Sequence, residues 1–209
     1  MNIGKEQLAN MDQRERAAFI NSLGGFKSLV LIGTQSINGQ SNLAVFSSLF
    51  HLGANPPLFG IIVRPDKSER HTFENIQSNG FFSVNQVTDE FYEQAHQTSA
   101  RYAREVSEFD AVGLTPEFWN DYPAPLVKES RVKWMAQCRE VIDLKINDTH
   151  LVIGELLEIS YPEDCQSPDG WLDLEKAGTV TVSGLDSYHV TSQLARLSYA
   201  KPDQPLKKL

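Results

Sequence analysis

Between Gly33 and Asn85, short apolar runs alternate with turn residues at a spacing that predicts strands. Lys27 to Gly33 (KSLVLIG) is an apolar run of strand length. Asn38-Gly39, the strongest short hairpin signal in the chain, joins it to a second run, Ser41 to Phe50. Asn55-Pro56-Pro57 then turns the chain into a third strand, Leu58 to Val63, and the prolines suit a strand start or an edge. A charged loop, Arg64 to Arg70, leads into a helix opened by Thr72 and closed at Asn79-Gly80. Phe81 to Asn85 (FFSVN) is a fourth strand.

Outside this stretch the pattern is looser. Asp12 with Glu15 resembles a capping box, and Ala18, Phe19 and Leu23 give the following helix one apolar face, ended by Gly24-Gly25. Asp89 is placed to cap a longer helix in which Phe91, Ala95, Ser99, Tyr102 and Val106 share a side. Gly113 to Pro125 reads as irregular, and Arg139 to Ile146 with Leu151 to Tyr161 as a long hairpin turning at Asn147-Asp148. Thr179 to Val182 is one further strand before a polar tail rich in Lys and Pro. Six or seven short strands joined by turns, against two or three helices, predict an α+β fold with antiparallel pairing. The expected architecture is a small β-barrel with helices packed outside it, built as a single domain over residues 1–209.

The composition narrows the function classes. A formal charge of -8 over 209 residues gives no general attraction to nucleic acid. Cys138 and Cys165 form neither a disulfide framework nor a zinc pattern and fit a reducing cytoplasm. No run approaches a membrane span, so no membrane association is expected. There is no GxGxxG after a strand, no P-loop, no HExxH and no GxSxG. A chain without these signatures either is no enzyme or borrows its reactivity from a bound cofactor.

Two local constellations could hold one. Asn42 to Phe50 intersperses Asn42, Ala44, Ser47 and Ser48 with Leu43, Val45, Phe46 and Leu49. Small residues let a flat ligand approach the backbone, whose N–H groups and neighbouring hydroxyls can meet ring heteroatoms. On pattern alone this run reads first as a barrel strand with small residues on its crowded side. The loop RPDKSERHT brings Arg64, Lys67, Arg70 and His71, with the hydroxyls of Ser68 and Thr72, to a helix N-terminus, where free N–H groups favour a phosphate. Its bland reading is a solvated turn with Thr72 as N-cap.

Taken in order, these motifs resemble the flavin reductase-like family of FMN-binding split barrels. The resemblance rests on Gly33-Thr34, NLAVFSS (Asn42 to Ser48), Asn55-Pro56-Pro57, Arg64 with HTFENI, and FFSVN. It continues through Ser107-Glu108-Phe109, Gly113-Leu114-Thr115, Pro125 to Cys138, HLVIGE, Tyr188 and Arg196 to Tyr199. It covers most of Lys27 to Pro202. Val45 replaces a common proline, and Gln166 to Ser183 has no counterpart, so that region is expected to shape the substrate entrance.

The resemblance implies an antiparallel split β-barrel. Asn42, Ala44, Phe46, Ser47 and Ser48 would line the isoalloxazine and ribityl chain of FMN, with FAD as the alternative cofactor. Arg64, Ser68, Arg70, His71 and Thr72 would hold the phosphate. It further implies a homodimer with the flavin near the interface, NADH or NADPH as transient donor, and a small-molecule or flavin acceptor or a monooxygenase partner. No side chain is assigned a catalytic role, since the flavin carries the chemistry; His189, Tyr199 and Lys201 could reach the site from the C-terminal segment. An electron carrier without nicotinamide reductase activity is the alternative within the family. A split barrel with another ligand, or used as an interaction module, lies outside it.

Overall fold

A computed structural model describes residues 1–65 and 70–209. Two short helices, α1 (Lys5–Asn10) and α2 (Gln13–Ser22), precede strands β1 (Lys27–Ser28), β2 (Val30–Gln35), β3 (Ser41–Phe46), β4 (Phe50–Ala54) and β5 (Pro57–Val63). Helix α3 (His71–Asn79) and strand β6 (Phe81–Gln86) follow, then α4 (Tyr92–Gln97), α5 (Glu108–Val112), β7 (Pro116–Glu117) and β8 (Leu126–Val127). The long hairpin β9 (Lys133–Leu144) and β10 (Thr149–Ser160) leads to β11 (Thr181–Ser183) and β12 (Ser187–His189).

Seven strands form one antiparallel sheet in the order β3-β2-β6-β9-β10-β5-β4. Its two edge strands, β3 and β4, are consecutive in the chain, so Ser47 to Leu49 carry the chain from one edge to the other and the sheet curls on itself. This is a split barrel, α+β and antiparallel. The Ser48 hydroxyl bridges the seam: it donates to the Ile62 carbonyl at 3.2 Å and accepts from the Ile62 N–H at 3.0 Å. One side chain thus does what a backbone pair does one step further along, where Phe50 faces Gly60. Ser48→Ala removes both bonds at about 1 kcal/mol each, which lowers Tm by roughly 4–8 °C for a domain of this size. Thermal unfolding of the variant checks this.

Both faces of β2 are covered, which is why its apolar run is nearly continuous. Val30 and Ile32 point inward to meet Phe82 and Val84 of β6, Trp134 of β9 and Ile61 of β5, and α3 adds Phe73 and Ile76 to this cluster. Leu29 and Leu31 point outward onto Phe91, Ala95 and Phe109 around α4 and α5. A small sheet, β1-β11-β12, brings the region after β10 back against the beginning of the barrel.

Three expectations from the pattern need correction. The Ala18, Phe19 and Leu23 face of α2 is not buried by this chain: no residue of α2 is buried, and Leu23 is 67% exposed. The long helix after Asp89 is instead short α4, an irregular segment and α5. Thr98 ends α4 by turning its hydroxyl onto the Ala95 carbonyl, while its N–H is shared between Gln94 and Ala95. Thr72 is not the N-cap of α3. Arg70 holds that position without a side-chain cap, and the Thr72 hydroxyl accepts from Asn42 Nδ2 at 3.0 Å. No helix among the described residues is long and apolar enough to cross a membrane.

Candidate functional site

A cleft of about 1070 Å³ opens where β3, the end of β5, the start of α3, the segment after α4 and the β11–β12 turn converge. Its floor is the β3 run. Side chains alternate along a strand, so Asn42, Ala44 and Phe46 share one face and Leu43 and Val45 the other. Asn42 is the best fixed of them: Nδ2 donates to Thr72 Oγ1 and, at 3.4 Å, to Thr34 Oγ1, which also receives Asn75 Nδ2 at 3.1 Å. This buried network locks the first turn of α3 to β3. Because β3 is an edge strand, alternate N–H groups have no partner strand. Leu43 donates its N–H to Glu108 Oε2 at 2.9 Å, so the corresponding groups of Val45, which borders the cleft, also point away from β2.

Nine of the residues singled out in the sequence border this one cleft. Asn42, Ala44, Phe46, Ser47 and Ser48 come from β3 and the crossing that follows it. Arg64, Arg70, His71 and Thr72 come from the end of β5 and the start of α3. Ser68 lies outside the described residues. The two arginines differ. Arg64 is exposed and makes no hydrogen bond or ion pair among the described residues, whereas Arg70 turns back to donate Nε and Nη2 to the Pro65 carbonyl at 3.4 and 3.3 Å. The helix start is also partly occupied from within: Glu74 Oε1 accepts from the Arg70 N–H, and Arg104 pairs with the same carboxylate.

The family model described as flavin reductase like domain matches residues 23–179. The chain belongs to the flavin reductase-like family. Its fold is shared over almost the whole length with a split-barrel protein from Shewanella frigidimarina NCIMB 400, provisionally called a flavin reductase. The two are 51% identical, and the superposition covers 96% of this chain and 100% of that one with a TM-score of 0.93. More distant members of the same fold include the 2-nitrobenzoate 2-nitroreductase of Pseudomonas fluorescens, 20% identical, covering 98% of each chain at a TM-score of 0.81. Flavoredoxin of Desulfovibrio vulgaris (Miyazaki F) is also 20% identical, covering 86% of this chain and 92% of that one at 0.71.

Several further residues of this flavin reductase-like chain border the cleft without having been assigned to a ligand site from the sequence. Lys27 arrives from β1, His96 from the end of α4, Glu108 from α5 and Tyr188 from β12. His96 Nδ1 and the Tyr188 hydroxyl form a close hydrogen bond across the cleft wall. Burial, and secondarily Asp186, push the Tyr188 phenol up. Glu108 is only 7% exposed, and burial pushes its carboxyl above the usual carboxylate range, against the opposing pull of the Leu43 N–H, its own N–H and His71. The Ser-Glu-Phe motif contained Glu108 but gave no reason to place it at the cleft.

Of the region Gln166 to Ser183, Val182 borders the cleft among the described residues. Ala177 and Val180 are instead buried in the two main clusters. Nor do His189, Tyr199 and Lys201 border the cleft. His189 Nε2 bonds Ser183 Oγ at 2.8 Å and its ring meets Phe26 edge-on, while Tyr199 is 89% exposed. Among the described residues no group of three or more His, Cys, Asp or Glu side chains could hold a metal.

Proposed function

We propose that this protein is an FMN-dependent oxidoreductase that takes a hydride from NADH or NADPH and passes reducing equivalents to a small acceptor, free flavin or a monooxygenase partner. The observation that carries this reading is the convergence of residues from β3, β5 and α3 on one cleft of about 1070 Å³. That is ample for a nucleotide-sized ligand. Asn42, Ala44, Phe46, Ser47 and Ser48 border the ring and ribityl chain, and Arg64, His71 and Thr72 face the phosphate, with Arg70 behind the loop. FMN, when bound, supplies hydride acceptance and electron delivery. The chain's own part is to present the β3 edge to the ring, to hold Asn42 through Thr72, and to offer cations to the phosphate.

The charge distribution supports an anionic ligand. Although the chain carries a formal charge of -8, the described cleft residues include Lys27, Arg64, Arg70 and Arg101 against only two carboxylates, Glu108 and Asp186. We also propose a homodimer. Ile20, Leu23 and Phe26 near the N-terminus, and Leu194, Tyr199 and Leu206 in the tail, are exposed apolar groups that a second copy would cover.

Purified protein mixed with FMN is expected to show the shifted absorption bands and quenched fluorescence of bound flavin. NADH or NADPH added anaerobically is expected to bleach it. Protein that stays colourless and binds no added FMN would sink the flavin reading. Flavin that binds but that neither nucleotide bleaches would replace the reductase with an electron carrier fed by a protein donor.

A further inference from the structure

We infer that Lys27 is a phosphate-binding residue of this cleft, acting with Arg64 as a pair of cations that the flavin phosphate completes. This rests on the FMN reading above and adds a residue that lies 37 positions before Arg64 on a different element. Lys27 sits on β1, held against the barrel by pairing with Val182 of β11, and its side chain is half-buried along the cleft wall. Its ammonium makes one hydrogen bond, to the Gly184 carbonyl at 2.8 Å, leaving two of its three protons for another acceptor. Burial, and then the proximity of Arg64, both push the Lys27 ammonium toward its neutral form. Among the described residues no carboxylate bonds or pairs with Lys27, although Asp186 borders the same cleft.

A half-buried ammonium beside a second cation, with no carboxylate paired to either among the described residues, is an unfavourable arrangement for folding alone. Perturbed groups of this kind cluster where a ligand supplies the missing charge. The other cations near the loop are already engaged. Arg70 is folded onto Pro65, and Arg104 is paired with Glu74, whose carboxylate also covers the first turn of α3. Arg101 is a further cation of the cleft, reached from the segment after α4. Lys27 and Arg64 border the same cleft close enough to repel each other, and neither is paired with a carboxylate among the described residues. A phosphate dianion there accepts from the ammonium and the guanidinium together, and the Gly184 carbonyl keeps the lysine stem aimed at it.

Comparing FMN with riboflavin, which has the same ring and ribityl chain but no phosphate, isolates this contact. In fluorescence titrations, wild-type protein should bind FMN far more tightly than riboflavin. Lys27→Met, which keeps the apolar stem, should weaken FMN binding about tenfold or more and leave riboflavin binding unchanged. Lys27→Arg should retain most of the FMN affinity, and Arg64→Ala should repeat the Lys27→Met pattern. Equal losses for FMN and riboflavin in Lys27→Met would overturn the assignment and make Lys27 a purely structural tie to Gly184. Unchanged FMN affinity in Lys27→Met would overturn it directly. Wild-type protein that binds neither flavin would overturn the FMN reading itself, and the inference with it, whereas the first two outcomes leave that reading standing. A melting curve shows that each variant is folded before titration.

Discussion

Replacing Gly33 with alanine is expected to destabilise the protein by about 3 kcal/mol and lower Tm by roughly 6–12 °C, with a parallel loss of flavin affinity. Gly33 lies in the middle of β2, opposite Leu43 on one side and Ser83 on the other. A Cβ there would run into the Pro125 carbonyl oxygen and Ser83 Oγ and come within 3.3 Å of the Pro125 carbonyl carbon. The obstacle is backbone, held in place by its own bonds. Ser83 Oγ donates to the Pro125 carbonyl, Asn85 Nδ2 donates to Ser83 Oγ at 2.9 Å and to the Leu31 carbonyl at 3.0 Å, and Asn85 Oδ1 accepts from the Val127 N–H at 2.8 Å. Every polar group in this chain of bonds is buried, so moving the 125–127 segment away breaks several at once. Shifting β2 instead displaces β3 and the cleft floor with it. The double variant Gly33→Ala/Ser83→Ala should recover little, because the carbonyl remains in the way. A single variant that melts with the wild type would show that the segment gives way easily.

The same strands show which parts of the fold can be read locally. The hairpin at Asn38-Gly39 is written in its turn: Gly39 has φ +84°, its N–H reaches the Ser36 carbonyl, and Ser36 N–H returns to Gln40. Gly80 closes α3 with φ +78° for the same reason. The long β9–β10 hairpin is visible at its turn but not at its start, because Lys133 to Gln137 pair with β6 across a long sequence separation. The periodicity after Asp89 marks Phe91 and Ala95 correctly as buried, yet Val106 on the same apparent side is 43% exposed. A helical spacing cannot report that the Thr98 hydroxyl captures the Ala95 carbonyl and stops the helix. The cleft divides in the same way. Asn42 to Thr72 is legible because β3, β5 and α3 are near one another in sequence. Lys27, Glu108 and Tyr188 reach the cleft only through tertiary packing, and nothing next to them in the chain marks a ligand wall.

Glu108 yields the sharpest pH-dependent expectation. Glu108→Ala leaves the Leu43 N–H at the β3 edge without its acceptor and is expected to cost about 2–3 kcal/mol. Glu108→Gln retains an oxygen at that position and should stay within about 1 kcal/mol of wild type near neutral pH. The two forms then diverge with pH in a fixed direction. Because burial raises the folded-state pKa of Glu108, the folded protein favours the protonated carboxyl. The stability this contributes is fully present below the unfolded pKa and is lost as pH rises through the folded one. Glutamine cannot titrate. The stability of wild type minus that of Glu108→Gln should therefore fall as pH is raised above the ordinary glutamate range and level off once the folded-state carboxyl is ionised. Glu74, held below the usual carboxylate range first by Arg104, acts in the opposite sense but is common to both proteins and cancels in the difference. Urea unfolding of the pair across this range measures it. A flat difference would mean that Glu108 titrates like an exposed carboxylate. A rising difference would mean that attraction to His71 and the two N–H donors outweighs burial, making the charged carboxylate the form that pins β3.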